Sequence, residues 1–178
     1  RDLDAVRDQE RRTGREINAV LNHPNFLWSQ TAEDLLELPA LRFFEVYNGH
    51  PLVNIPGDAV HASTDRIWDI VLTHRFSSRG GPLYGVGTDD THDYHRIGSD
   101  MRNGGRGWIV VRASHLNADS LIAAMQRGDF YASSGVELTD LAFAARLRRD
   151  PALRGAVDTW LAGSDVGSAD WVDWEQRK

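Results

Sequence analysis

The run Gly85-Val86-Gly87-Thr88-Asp89-Asp90-Thr91-His92 places two carboxylates and an imidazole within four positions, behind an approach of small and apolar residues. In an extended segment, residues two apart project to the same side. Asp90 and His92 can therefore offer hard oxygen and nitrogen donors to one divalent cation or to two adjacent ones. The same spacing also suits an ordinary loop, with carboxylates capping backbone amides and the imidazole half buried. Two more clusters carry related chemistry. His23-Pro24-Asn25 presents an imidazole whose direction is set by the rigid proline after it. Glu45-Val46-Tyr47-Asn48-Gly49-His50 closes an apolar run with a carboxylate, an amide and a second imidazole. A glutamate there needs a partner, because an unpaired buried charge is costly; a cation, Arg42 or Arg66 would serve.

His95 follows His92 by three residues and is placed to contact substrate or to support a ligand. His61, His74 and His115 fall away from any carboxylate cluster and read as solvated loop or helix-end residues. Trp68 and Trp108 are most simply packing residues. Ser133-Ser134-Gly135 lacks the G-x-S-x-G elbow, so nothing supports a serine hydrolase.

The elements that must hold these clusters alternate. Residues 1–12 are highly charged, with Leu3 and Val6 on one helical face and Gly14 where a helix C-terminus favours a left-handed residue. Residues 16–22 form a short apolar run that predicts a buried strand ending at His23. Thr31-Ala32-Glu33-Asp34 resembles a capping box opening a short helix that stops near Pro39, and residues 41–47 predict a second strand. Ser63-Thr64-Asp65 caps an apolar helix, and residues 83–88 predict a third strand that ends at the Asp-Asp-Thr-His turn. A glycine-rich link leads to the strand Trp108 to Ala113, then to a helix over 117–127 closed by Gly128, then to a strand over 130–133. Strands alternating with helices predict parallel pairing in an α/β sheet or barrel, where ligands collect at the strands' carboxyl ends. All three polar clusters fall there. About five strands are too few for a closed barrel of roughly eight, which predicts missing upstream structure. Residues 141–178 break the alternation and read as a helical C-terminal extension of a domain spanning 1–140.

Composition narrows the chemistry. At 178 residues, 41% hydrophobic and 26% charged, the chain is long and apolar enough for one folded domain with a core. A net charge of -6 argues against a nucleic-acid groove, which needs clustered cations. Lys178 is the single lysine among twenty basic residues, so guanidinium forks dominate the positive charge. With no cysteine there is no thiolate chemistry, and any metal must be held by His, Asp, Glu or Asn. No apolar run approaches the roughly 18 residues of a spanning helix, so no membrane role is expected; the compartment stays open between the cytoplasm and export after signal cleavage.

Taken in order, Leu21-Asn22-His23-Pro24-Asn25, Glu45-Val46-Tyr47-Asn48-Gly49-His50-Pro51, Trp68-Asp69, Gly85 to His92 and Gly128-Asp129-Phe130-Tyr131-Ala132-Ser133-Ser134-Gly135 resemble the C-terminal half of a PHP (polymerase and histidinol phosphatase) metallohydrolase. The CehA/McbA-like branch is the nearest, and the resemblance covers about residues 15 to 140. It implies a distorted (β/α)7 barrel, present here in part, with two or three divalent ions (Zn, Mn or Fe) at the strand ends and phosphate esters as the main substrates. It further implies His23, His50, Asp90 and His92 as metal ligands, with Glu45 and Asn48 matched less closely. The family's opening His-x-His pair and bridging Glu have no counterpart in this sequence, which implies an incomplete site and a chain with little turnover alone.

The expected function is therefore hydrolysis of a small phosphorylated or ester substrate by metal-activated hydroxide. From position in the sequence, His92 or His95 would protonate the leaving alkoxide, and Asn48, Arg96, Arg102 or Arg106 would hold substrate oxygens. Two alternatives stand beside it: carboxylic or carbamate ester hydrolysis by the same hydroxide, and a non-catalytic metal-binding or structural barrel segment.

Overall fold

The computed structural model describes residues 2–98 and 100–138. They form α1 (Asp2–Thr13), β1 (Val20–Leu21), α2 (Ala32–Leu36), β2 (Phe43–Asn48), α3 (Thr64–Ser77), β3 (Tyr84–Thr88), β4 (Trp108–Val111), α4 (Ala118–Arg127) and β5 (Phe130–Ser133). All lie in the first of two units, Arg1–Val136 and Glu137–Lys178. The helical extension expected over 141–178 lies outside the described residues.

Local chemistry sets the helix boundaries. The Thr31 hydroxyl accepts from the Asp34 amide while the Asp34 carboxylate accepts from the Thr31 amide at 2.8 Å, a reciprocal cap that starts α2. Ser63 and Asn117 cap α3 and α4 through the amides of Arg66 and Ser120. Gly128, at φ 78°, ends α4 in the left-handed conformation that costs glycine least.

β1, β2 and β3 form a parallel three-stranded sheet in that order. Because neighbouring strand residues face opposite ways, Phe43 and Phe44 divide the core between two faces. Phe44 packs with Leu35, Leu41, Ile67, Val71 and Leu83, under α2 and α3. Phe43 packs with Val86 and Phe130, joined by Tyr84, Ile109, Val111 and Met125. The sheet thus lies between two apolar layers, and its strand ends are fixed from both sides.

Two expectations need correction. The strand read over 16–22 contracts to Val20–Leu21, because only those residues pair with Phe43 and Phe44. β4 and β5 do not join a parallel sheet; they pair with each other antiparallel, Trp108 opposite Ser133 and Val111 opposite Phe130. The link over 112–129 contains a helix and is long enough for either direction, so helix-strand alternation did not discriminate. The fold is mixed α/β, with one parallel sheet and one antiparallel pair. Among the described residues, no helix is long and apolar enough to cross a membrane.

Candidate functional site

The site begins with an irregularity in β2. Glu45 pairs with Val86, Tyr47 with Gly87 and Asn48 with Thr88, leaving Val46 as an extra residue in a β-bulge. In a regular strand, residues three apart face opposite sides. Here Glu45 and Asn48 are opposite Val86 and Thr88, two apart on β3, and so share a face. A Cβ on Gly85 would meet Val46 Cγ1 at 2.8 Å, so the bulged valine needs a glycine beside it.

Glu45, 4% exposed, spends its charge inside the protein. Oε2 accepts from the His23 amide at 2.6 Å and from Asn48 Nδ2 at 2.8 Å, and Oε1 accepts from Thr88 Oγ1 at 2.8 Å. One carboxylate therefore ties the carboxyl ends of β1, β2 and β3 together. Its partners are hydrogen-bond donors, and neither Arg42 nor Arg66 is among them; Arg42 instead donates to the Gln126 carbonyl. Asn48 extends the network, with Nδ2 3.4 Å from Asp90 Oδ2 and Oδ1 accepting from the His50 amide at 2.8 Å.

His50 is the convergence point. Burial lowers its pKa from 6.5; among nearby charges Asp90 raises it, while His92, Arg102 and His23 lower it further. Residues from the ends of β1 and β3, with Arg102 from the loop beyond β3, thus act on one imidazole at the end of β2, whose ring stands edge-on to His92 with centroids 5.3 Å apart. Backbone groups assign the two tautomers. His92 Nδ1 lies 2.6 Å from the Asp90 carbonyl, which can only accept, so Nδ1 carries the proton and Nε2 presents a lone pair. His50 Nδ1 accepts from the Leu52 amide at 3.2 Å, so the neutral ring carries its proton on Nε2. Both His23 (φ 28°) and Asp90 (φ 51°) sit in a left-handed conformation uncommon for residues with a Cβ, a strain that clusters at functional sites.

The segment from Asp89 to Gly107 is braced as a unit. Asp89 accepts amides from Gly105, Arg106 and Gly107 at 2.6–3.0 Å. Desolvation pushes its pKa up, but these three bonds and the Arg106 charge outweigh it and leave the carboxylate acidified. Asp93 accepts from Arg102 Nε at 2.9 Å, which with the Arg102 amide brings its pKa down to about 2. Buried Asn103 donates to the carbonyls of Asp93 and Arg96 and accepts from the Gly98 amide.

The residues expected to hold substrate separate accordingly. Arg106 donates to the carbonyls of Gly49 and Gly98, and Asn48 serves the Glu45–Asp90 network, so both are engaged within the fold. Arg96 is exposed, 3.6 Å from Asp93. Arg102 remains at the site, since its charge reaches His50. His95 is exposed and is not among the charges acting on His50.

The donor set suits a metal ion in part. His92, with Nδ1–H held by a carbonyl, has the arrangement that orients a ligating Nε2, and Asp90 lies beside it with Oδ1 3.7 Å from Nδ1. Glu45 has three protein donors on its oxygens, and the His50 tautomer puts a proton where a ligand needs a lone pair. Among the described residues, no three His, Asp or Glu side chains form a group that could hold a metal ion. No family model, curated protein or solved structure matches the chain.

Sequence reading missed Thr88, Asp93 and the Leu52 amide as parts of the site. Thr88 had a visible signal, a hydroxyl directly before the two aspartates. The Leu52 amide had none, because every residue but proline carries that group.

Proposed function

We propose that these strand ends belong to the centre of a metal-dependent hydrolase acting on phosphate esters, within a partial barrel of the PHP kind. The observation that supports this best is the convergence of His23, Asp90, His92 and Arg102 on His50. Asp90 and His92 are the residues of this chain that would hold a divalent ion, with His23 as a further candidate. When bound, such an ion acidifies water and offsets charge on a phosphoryl group.

The protein's own groups supply the rest. The Asp90 carbonyl holds His92 in the tautomer whose Nε2 can ligate or accept a proton. Asn48 steers the Asp90 carboxylate. Glu45 is assigned a positioning role, since both of its oxygens accept hydrogen bonds that align the three strand ends. His50 Nε2–H is a donor aimed at developing negative charge.

Metal content and turnover test this reading. Purified protein loaded with Mn²⁺ or Zn²⁺ is expected to retain more metal than Asp90→Ala or His92→Ala and to show little turnover by itself, while a longer chain that supplies the missing ligands is expected to hydrolyse an aryl phosphate in preference to an aryl carboxylate ester. Equal retention by wild type and both variants would refute the metal centre. A preference for the carboxylate ester would refute the phosphoester assignment.

A further inference from the structure

We propose that the cavity under α1, at the amino ends of the parallel sheet, binds a small neutral molecule that joins an apolar body to a planar amide edge, as in a carboxamide, a lactam or a urea. This site is separate from the strand ends assigned to hydrolysis and stands whether or not that assignment does.

Gly14, at φ 65°, ends α1 in the left-handed conformation and sends the chain into the segment that leads to β1. α1, that segment and the start of β2 border about 460 Å³, within the roughly 300–1,000 Å³ of small-ligand sites. Val6, Ile17, Ala40 and Phe43 give it apolar lining. Two charged residues on its border are engaged elsewhere: Glu10 Oε1 accepts the Ile17 amide at 2.8 Å, and Arg42 donates to the Gln126 carbonyl at 2.7 Å. Asn18 differs. It lines the same cavity, and its Nδ2 and Oδ1 are the buried side-chain atoms without a partner among the described residues.

An amide that gave up water without gaining a partner calls for an explanation, and its two needs select the ligand. Nδ2 asks for an acceptor and Oδ1 for a donor, side by side in one plane. A carboxylate would answer Nδ2 and repel Oδ1; a cation would do the reverse. A second amide answers both through a cyclic pair of hydrogen bonds, and the apolar lining takes the rest of the molecule. Water can bond both atoms but gains nothing from that lining. To reach Asn18 a ligand must displace part of the wall, and α1 is the part that yields. None of its residues is buried; half-buried Leu3 packs it against the core, and Glu10 ties it to Ile17.

The decisive experiment is amide NMR on the full chain, titrated with benzamide and separately with benzoate, which has the same shape and a charge. Benzamide is expected to shift the Asn18 side-chain and Ile17 backbone signals saturably, and benzoate to bind at least about tenfold more weakly. Asn18→Leu keeps the side-chain size and removes both hydrogen bonds, so it should weaken benzamide at least about tenfold, read at Ile17. Val6→Trp fills the cavity from α1 with Asn18 intact, and should abolish the saturable shift. A cooperative melt near that of wild type certifies each variant's fold. No saturable shift with benzamide, equal benzamide affinity in wild type and Asn18→Leu, benzoate binding as tightly as benzamide, or a shift that survives in Val6→Trp would each overturn the site.

Discussion

The two ends of the parallel sheet are built on different principles. At the carboxyl ends of β1 to β3, buried and half-buried polar groups are matched: Glu45 by three donors, Asp89 by three amides, and Asn25 Nδ2 by the carbonyls of Asn54 and Ala62, each at 2.9 Å. At the amino ends, under α1, the chain leaves a cavity of about 460 Å³ bordered by Val6, Glu10, Ile17, Ala40 and Phe43. Asn18 lines it too, and both polar atoms of its amide are buried without a partner. The contrast sets the two ends apart: side-chain positions are over-determined where chemistry is proposed and loosely specified at the other end. Buried polar networks specify geometry only when fully satisfied, and only one end of this sheet meets that condition.

The sharpest way to break the comparison is Glu45. Alanine would orphan the His23 amide, Asn48 Nδ2 and Thr88 Oγ1 together, so Glu45→Ala is expected to cost about 3–5 kcal/mol of unfolding free energy in urea. Glu45→Gln can keep an oxygen toward His23 and Asn48 and donate to Thr88 Oγ1, and should cost about 1–2 kcal/mol. Metal retention distinguishes the roles: a positioning Glu45 tolerates glutamine, whereas loss of retention in a folded Glu45→Gln protein would make it a ligand.

Asn25, buried at the carboxyl ends, follows. Asn25→Leu removes the buried donor that serves the carbonyls of Asn54 and Ala62 and should destabilise by about 1–2 kcal/mol. Gly85→Ala comes next, at about 1–3 kcal/mol, because its methyl must displace the bulged Val46. The spectral signature expected is a shift of the Asn48 side-chain amide; an unmoved signal would mean that the bulge does not depend on Gly85.

Proton linkage separates the ends further. Burial keeps the native pKa of His50 below 6.5, so between those values the unfolded chain binds the extra proton. Stability from this source is complete above pH 6.5 and declines as pH falls below it. Asp93, brought from 3.8 to about 2, adds stability that is present above pH 3.8 and fades toward pH 2. Amide exchange along residues 89–107 should quicken in that lower window, and a His50→Gln protein should lose the upper one. The smallest effect is expected at the other end, where Asn18→Leu removes an unpartnered amide and should leave the melting temperature unchanged or slightly higher. A large loss there would overturn the contrast.

Much of the frame was legible. The capping residues Thr31, Ser63 and Asn117 and the glycine at 128 marked helix ends through short-range hydrogen bonding and backbone freedom, which act within a few residues of sequence. The Asp89 to His92 turn, His23 and the Glu45 to His50 stretch were visible as polar clusters at the ends of apolar runs. Their convergence on His50 could be expected once parallel pairing was assumed, since parallel strands bring like ends together.

The roles within the cluster were not legible, for reasons that Glu45 and Asn48 make concrete. Alternation along a strand puts them on opposite faces, and only a one-residue bulge, set by pairing with β3, brings them to the same one. Likewise, composition shows that Arg96, Arg102 and Arg106 are cations, but acceptors distant in sequence, Gly49 for Arg106 and Asp93 for Arg102, decide where the last two are tied. The antiparallel pairing of β4 with β5 belongs to the same class. Residue types and short-range spacing dictated the helices, their caps and the inventory of chemical groups, because those energies are local. Strand direction, the bulge register and the protonated nitrogen of each imidazole were decided in three dimensions, because each depends on a backbone group supplied by the folded chain.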